Sequence, residues 1–288
     1  MDVVPYAFCD DVCAVVKDLD ALGELTLDIS NCGIWNAAAV ATAARRVTVD
    51  VYLICVNGVC SYRIRKTAKN EVIGITFQEL KAINRCCVRT SAVGIGTWNG
   101  LENAHTSTVD ELREILKYSA PFVNLAQLWI SDDILAEELS LSLFYNSSFY
   151  EIRAVGYSKA AEHFLTVQLL SEGLKIIDIR DQGWSDELRE SIERFALTKS
   201  FTNVDVNDSL VFGLKFLKKL LRTSCRHDWF TFTAHFGVKF RNLRKLKKEM
   251  QIETGDDKIA WRRPDGAEME ITRRWYDRRL FITLIGDN

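Results

Sequence analysis

Five segments decide the reading of this chain: Leu125-Ala126-Gln127-Leu128-Trp129-Ile130, Phe149-Tyr150-Glu151-Ile152-Arg153-Ala154, Leu174-Lys175-Ile176-Ile177-Asp178-Ile179, Phe201-Thr202-Asn203-Val204-Asp205-Val206 and, more loosely, His227-Asp228-Trp229-Phe230-Thr231-Phe232. They share the form apolar-x-x-apolar-x-apolar. Their middle apolar residues fall at 128, 152, 177, 204 and 230, in steps of 24, 25, 27 and 26. Amphipathic stretches fill the gaps and predict helices near 133–145, 158–172, 185–198 and 208–222. A strand-plus-helix unit recurring at this interval is the pattern of leucine-rich repeats. The expected fold class is therefore α/β: a leucine-rich-repeat-like solenoid of β–α units, with an N-terminal helical module and hairpins at both ends.

A solenoid implies a binding surface rather than a pocket for chemistry. Side chains alternate along a strand with period two, so the apolar positions enter the layer beneath the helices and the intervening ones line the other face. Those outward residues are Trp129 and Ser131, Arg153, Asp178 and Arg180, Asp205 and Asn207, and Thr231. Neighbouring strands place them in rows about 4.8 Å apart. Trp129, Arg153, Asp178, Arg180, Asp205 and Asn207 are the expected partner-binding residues, with Trp129 the aromatic anchor. The plainer alternative is a solvated face with cross-strand pairs such as Arg153 with Asp178.

Working outward from the repeats, residues 5–19 read as a helix with Pro5 in its first turn and a stripe of Phe8, Val12 and Leu19. An alanine-rich helix from about Ile34 to Arg45 contains Trp35. Residues 1–46 make a helical module, and 47–288 the repeat-like domain. Val47–Val56, Asn57-Gly58 and Val59–Lys66 form a hairpin. A short helix near Thr76–Asn84 leads to a strand around Cys86–Thr97. Thr108-x-x-Glu111 is a capping box opening the helix to about Tyr118. Gly173 stands where a helix C-terminal cap belongs. After the fifth segment come a basic amphipathic helix, 238–250, a second hairpin around Pro264-Asp265-Gly266, and a last strand, Leu280–Ile285.

With 288 residues, 48% of them hydrophobic, and only three prolines, the chain is long and apolar enough to bury a substantial core. No apolar run reaches the roughly 18–20 residues of a membrane span. Met1-Asp2-Val3-Val4-Pro5 lacks the basic region of a secretory leader, so a soluble protein of the cytoplasm or nucleus is expected. The eight cysteines fit this, since most sit within apolar patterns. Cys55 and Cys60 flank the Asn57-Gly58 turn and face each other at a non-hydrogen-bonded pair, close enough for a bridge. In a reducing compartment two free thiols are the expectation.

Signals for chemistry are weak. Gly94-x-Gly96-x-x-x-Gly100 has the wrong spacing for a dinucleotide loop, and no Gly-Lys-Ser/Thr phosphate loop exists. No nucleophile elbow, zinc-protease motif or zinc-finger spacing occurs. No catalytic residue, metal or cofactor is implied, and the chain reads as a non-enzymatic interaction module. The alternative is a nucleic-acid-associated protein. From residue 207 onward 18 Lys and Arg stand against 11 Asp and Glu, a balance of +7, while the remainder balances at −9. Lys239, Arg241, Arg244, Lys245, Lys247 and Lys248 supply the densest basic stripe, able to meet phosphates.

Val4-Pro5-Tyr6-Ala7-Phe8-Cys9-Asp10, Trp35, Ser61-Tyr62-Arg63-Ile64, Ile75–Leu80, Pro121–Ala126 and Ile259–Gly266 resemble segments of a nematode-expanded family of uncharacterised F-box-associated-like proteins with leucine-rich-repeat-like units. The resemblance implies a substrate receptor of a cullin-type ubiquitin ligase. Its N-terminal helices would dock a Skp-type adaptor through Phe8, Val12 and Trp35, and its repeats would hold a protein substrate.

Overall fold

A computed structural model of the chain describes residues 33–68, 71–96, 104–131, 133–199, 201–206, 210–223, 230–237, 252–254, 258–262, 268–273 and 280–285. They fall into two compact units, one reaching residue 94 and resuming over 98–124, the other comprising 95–97 and everything from 125 onward. The helix expected over 5–19, with Phe8 and Val12, lies outside the described residues, as do Asn207 and the basic stretch 239–248.

The first unit begins with helix α1 (Gly33–Arg45), followed by strands β1 (Val47–Val56), β2 (Val59–Ala68) and β3 (Glu71–Ile75), helix α2 (Phe77–Ala82), strands β4 (Val88–Ile95) and β5 (His105–Ser107) and helix α3 (Val109–Ser119). Its strands run in the order β4-β1-β2-β3, with β5 also against β2. Asn57 and Gly58 have φ of 52° and 78°. Two successive left-handed residues make the two-residue turn whose twist matches the flanking strands, which pairs Val56 with Val59 and sets the whole antiparallel register. α2 opens on a capping box: Thr76 Oγ1 accepts from the Glu79 amide at 3.2 Å, and Glu79 accepts from the Thr76 amide at 2.7 Å. At α3 only half of the expected box forms. Thr108 Oγ1 accepts from the Glu111 amide, while the Glu111 carboxylate takes the Ser107 hydroxyl instead. Leu112, Ile115 and Leu116, at helical spacing, are completely buried.

The second unit alternates strand and helix: β6 (Val123–Ile130), α4 (Asp133–Leu139), β7 (Ser148–Ala154), α5 (Lys159–Gln168), β8 (Ile176–Ile179), α6 (Asp186–Thr198), β9 (Asn203–Val206), β10 (Val211–Phe212), α7 (Leu214–Thr223) and β11 (Phe230–Phe236). Strands β12 (Ile252–Thr254), β13 (Lys258–Arg262), β14 (Glu268–Arg273) and β15 (Leu280–Ile285) follow. The order is β6-β7-β8-β9-β11-β15-β14-β13-β12. β7, β8, β9 and β11 pair in parallel, and β10 pairs with β11 in parallel. From β11 onward every neighbour is antiparallel. Beneath the strands lies an aliphatic core with two phenylalanine clusters. Phe144, Phe149 and Phe164 meet edge to face, and Phe232 is ringed by Phe201, Phe212, Phe216 and Phe236 at centroid distances of 5.5–6.3 Å.

This architecture overturns the solenoid. The fold is a mixed α/β one with a large sheet, and the recurring β–α units are only its parallel stretch. A spacing of about 25 residues measures the length of one strand, one helix and their connections. It does not require that such units stack into an open repeat array. Here hydrogen bonding continues sideways from β11 into the antiparallel β15, which a repeat pattern cannot foretell.

Three local expectations also change. The repeat form predicts Leu125 as the first inward residue of its segment. Its φ is 50°, which turns the strand so that Ala126 is buried and Leu125 is 43% exposed. Gly173 is not a left-handed cap, since α5 ends at Gln168 with Leu169 as its cap and Gly173 keeps an ordinary φ. It is glycine for space: a Cβ there would lie 3.0 Å from Leu125 Cδ2 and 3.6 Å from Ser148 Cβ. Cys55 and Cys60, expected as free thiols, are disulfide-bonded with Cα atoms 4.1 Å apart.

Candidate functional site

On the parallel strands of the second unit, the face opposite the fully buried Leu128, Ile152, Ile177 and Val204 carries a row of polar side chains. The register places Arg153 beside Asp178, Asp178 beside Asp205, and Asp205 beside Thr233. A second row runs Glu151, Ile176, Asn203 and Thr231. The sequence pattern therefore aligned Arg153, Asp178 and Asp205 correctly.

Two ion pairs on this face join residues two apart on one segment. Arg153 Nε donates to Glu151, two residues back, and its guanidinium lies 5.9 Å from the Trp129 ring. Arg180 Nε and Nη2 each donate to the Asp178 carboxylate at 2.9 Å, a two-pronged grip. The Glu151 and Asp178 side chains are 4% and 11% exposed, whereas Arg153 and Arg180 are 49% and 60% exposed. Buried acids thus anchor arginines whose far edges reach solvent. The Asp178 hydrogen bonds and charge, helped by Asp205, raise the Arg180 pKa above its ordinary value.

The backbone beyond β8 is fixed as firmly as the side chains. Trp184 Nε1 donates to the Arg180 carbonyl at 3.0 Å, and the Tyr157 ring meets Trp184 edge to face at 5.2 Å. Gly183, at φ 104°, sits beneath Tyr157, where a Cβ would come within 3.2 Å of the ring. The turn therefore needs glycine for both conformation and room.

Five of the expected residues, Trp129, Arg153, Asp178, Arg180 and Asp205, share this face. Trp35 lies in α1 of the other unit. Glu151 was missed, though the sequence carries its signal. Glu151-x-Arg153 and Asp178-x-Arg180 repeat one acid-x-arginine step on consecutive segments, and period two puts both members on one face.

The first unit holds a separate polar cluster. Asp50 accepts from Arg65 Nη2 at 3.0 Å and from Ser91 Oγ at 2.5 Å, and Arg65 also donates to the Tyr52 hydroxyl. Burial, then the Asp50 charge, pushes the Tyr52 phenol above its ordinary pKa. Ser91 donates to a carboxylate rather than to a histidine, and Arg65 Nε is buried without a hydrogen-bond partner, so the cluster is an incompletely satisfied ion pair without a nucleophile–base arrangement. A groove of about 540 Å³ between α2 and α3 is lined by Phe77, Lys81, Arg85, Glu114, Lys117 and Tyr118, among others. Among the described residues no group of His, Cys, Asp and Glu could hold a metal ion, and no helix is long and apolar enough to cross a membrane.

No protein-family model matches the chain, and no curated protein matches it. Among solved structures, the MycE methyltransferase from the mycinamycin biosynthetic pathway, in complex with Mg, SAH and mycinamycin VI, is 11% identical, with 97% of this chain and 92% of that chain covered at a TM-score of 0.21. A second MycE structure, with Mg and SAH, gives 10% identity, the same coverage and the same TM-score. A likeness this slight carries no argument about fold or activity.

Proposed function

We propose that the chain is a non-enzymatic protein-binding module whose recognition element is the face formed by Trp129, Arg153, Asp178, Arg180 and Asp205. The supporting observation is the anchoring of two solvent-reaching arginines by buried acids on adjacent strands, one of them over a tryptophan. Arginine and tryptophan are favoured at the centres of interfaces. Side chains already held in place lose less conformational freedom on binding. The narrower reading, a substrate receptor of a cullin-type ubiquitin ligase, rests on the sequence resemblance and is tested by co-purification with a Skp-type adaptor.

The face is tested by affinity capture with quantitative mass spectrometry, comparing the wild-type chain with W129A/R153A/R180A. Proteins retained by the wild type and reduced at least about tenfold by the variant, equivalent to about 1.4 kcal/mol of binding, support the reading. Circular dichroism must show the variant folded. An unchanged set of retained proteins overturns it.

A further inference from the structure

The tip of the β1–β2 hairpin joins a covalent bond to an exposed turn. Cys55 and Cys60 pair directly across the strands, one residue before and one after the Val56–Val59 pair that closes the turn. Val56 and Val59 are 46% and 59% exposed, and Cys60 is 4% exposed. Cys55 is half-buried and is the more exposed residue of the pair.

We propose that the Cys55–Cys60 bridge is a thiol-exchange site, opened by a small thiol of the glutathione class that attacks Cys55 and releases Cys60. The attacking thiolate bonds to Cys55 Sγ as the Cys55–Cys60 bond breaks. The electron pair leaves on Cys60, which takes up a proton. A second thiolate then attacks the small-molecule sulfur of the mixed disulfide. It frees Cys55 as a thiolate and yields the oxidised small disulfide. Two thiols thus deliver two electrons, and two protein thiols result. The reverse sequence closes the bridge.

Three features make this bond suited to exchange. It spans a sequence separation of 5, so it removes little freedom from the unfolded chain, since the entropic gain from a bridge grows with loop length. The turn does not depend on it: Asn57 and Gly58 already hold the left-handed conformations that close a two-residue hairpin. The β1–β2 register continues to Thr48–Thr67, so the opened thiols stay opposed and the bridge can re-form with a high effective concentration. Opening reaches one further element, because Cys60 also lies opposite Ser107 of β5, directly before the cap of α3.

The test uses the purified full chain equilibrated in buffers of reduced and oxidised glutathione, then alkylated and mapped by mass spectrometry. The reduced fraction at Cys55 and Cys60 is expected to follow the ratio of reduced glutathione squared to oxidised glutathione. Cys60→Ser should accumulate a glutathione adduct on Cys55 at least tenfold above that on Cys60 in Cys55→Ser. In the wild type, amide exchange at 56–60 should quicken severalfold on reduction while that at Val51 and Leu53 holds. A bridge that stays closed, or thiols that stay open, across all buffers would overturn the proposal. Equal adducts on the two sulfurs would overturn the assignment of Cys55 as the attacked atom.

Discussion

Replacing Arg180 with methionine tests whether the buried acids of the second unit depend on the arginine above them. The change removes the two 2.9 Å bonds to Asp178. Arg180 is 60% exposed, so water compensates part of that loss, and the pair contributes about 1 kcal/mol. A second cost comes from the register, which puts Asp178 directly beside Asp205. Strand neighbours lie about 5 Å apart, and two charges at that spacing, at an effective dielectric near 40, repel by about 1–2 kcal/mol at low salt. Arg180 offsets this in the native chain. R180M should therefore destabilise the second unit by about 2 kcal/mol, and adding D205N should recover about 1 kcal/mol. Urea denaturation reports the total, and hydrogen exchange at the Ile177, Ile179 and Val204 amides localises it. In 1 M salt, where the screening length falls to about 3 Å, the recovery should shrink. If D205N has the same effect with and without Arg180, or if R180M changes stability by less than about 0.3 kcal/mol, the anchoring account is wrong.

Gly183→Ala should destabilise the turn after β8 by about 1–3 kcal/mol, from the cost of φ near 104° in a residue with a Cβ together with contact against Tyr157. A Tm within error of the wild type would contradict it. Hydrogen bonds from the Thr76 amide and hydroxyl hold the Glu79 carboxyl below the ordinary glutamate range. Because the folded value is the lower one, this contribution to α2 is present at neutral pH and is lost as the pH falls through the depressed value. An NMR titration should place the Glu79 midpoint below the ordinary value, and Thr76→Ala should move it partway back. A midpoint at or above the ordinary value in the wild type would refute the cap's electrostatic role.

Much of the local structure was legible because it rests on local chemistry. Asn57-Gly58 specified its turn, and the turn specified the β1–β2 register. The repeated apolar positions at 128, 152, 177 and 204 specified an inward face, and their parity put Arg153, Asp178 and Asp205 together on the other. Glu151 was legible too, through the repeated acid-x-arginine step. Its burial was not legible, because an acid on the polar side of a strand pattern carries no sign of how deeply it is covered.

What the sequence alone determined about this protein is which residues pair with near neighbours and which side of a strand each one faces, because strand periodicity and turn chemistry act over a few residues. Only the tertiary structure decided how far the sheet extends, that β11 turns from parallel to antiparallel neighbours, and that Leu125 swings outward over Gly173. It also decided that Arg153 and Arg180 bind acids on their own segments, and that Cys55 and Cys60 are bridged. Each of these depends on which distant segment lies alongside, and on how deeply that contact buries a charge or brings two sulfurs together. A repeat interval measures the length of a unit and carries no information about its neighbours.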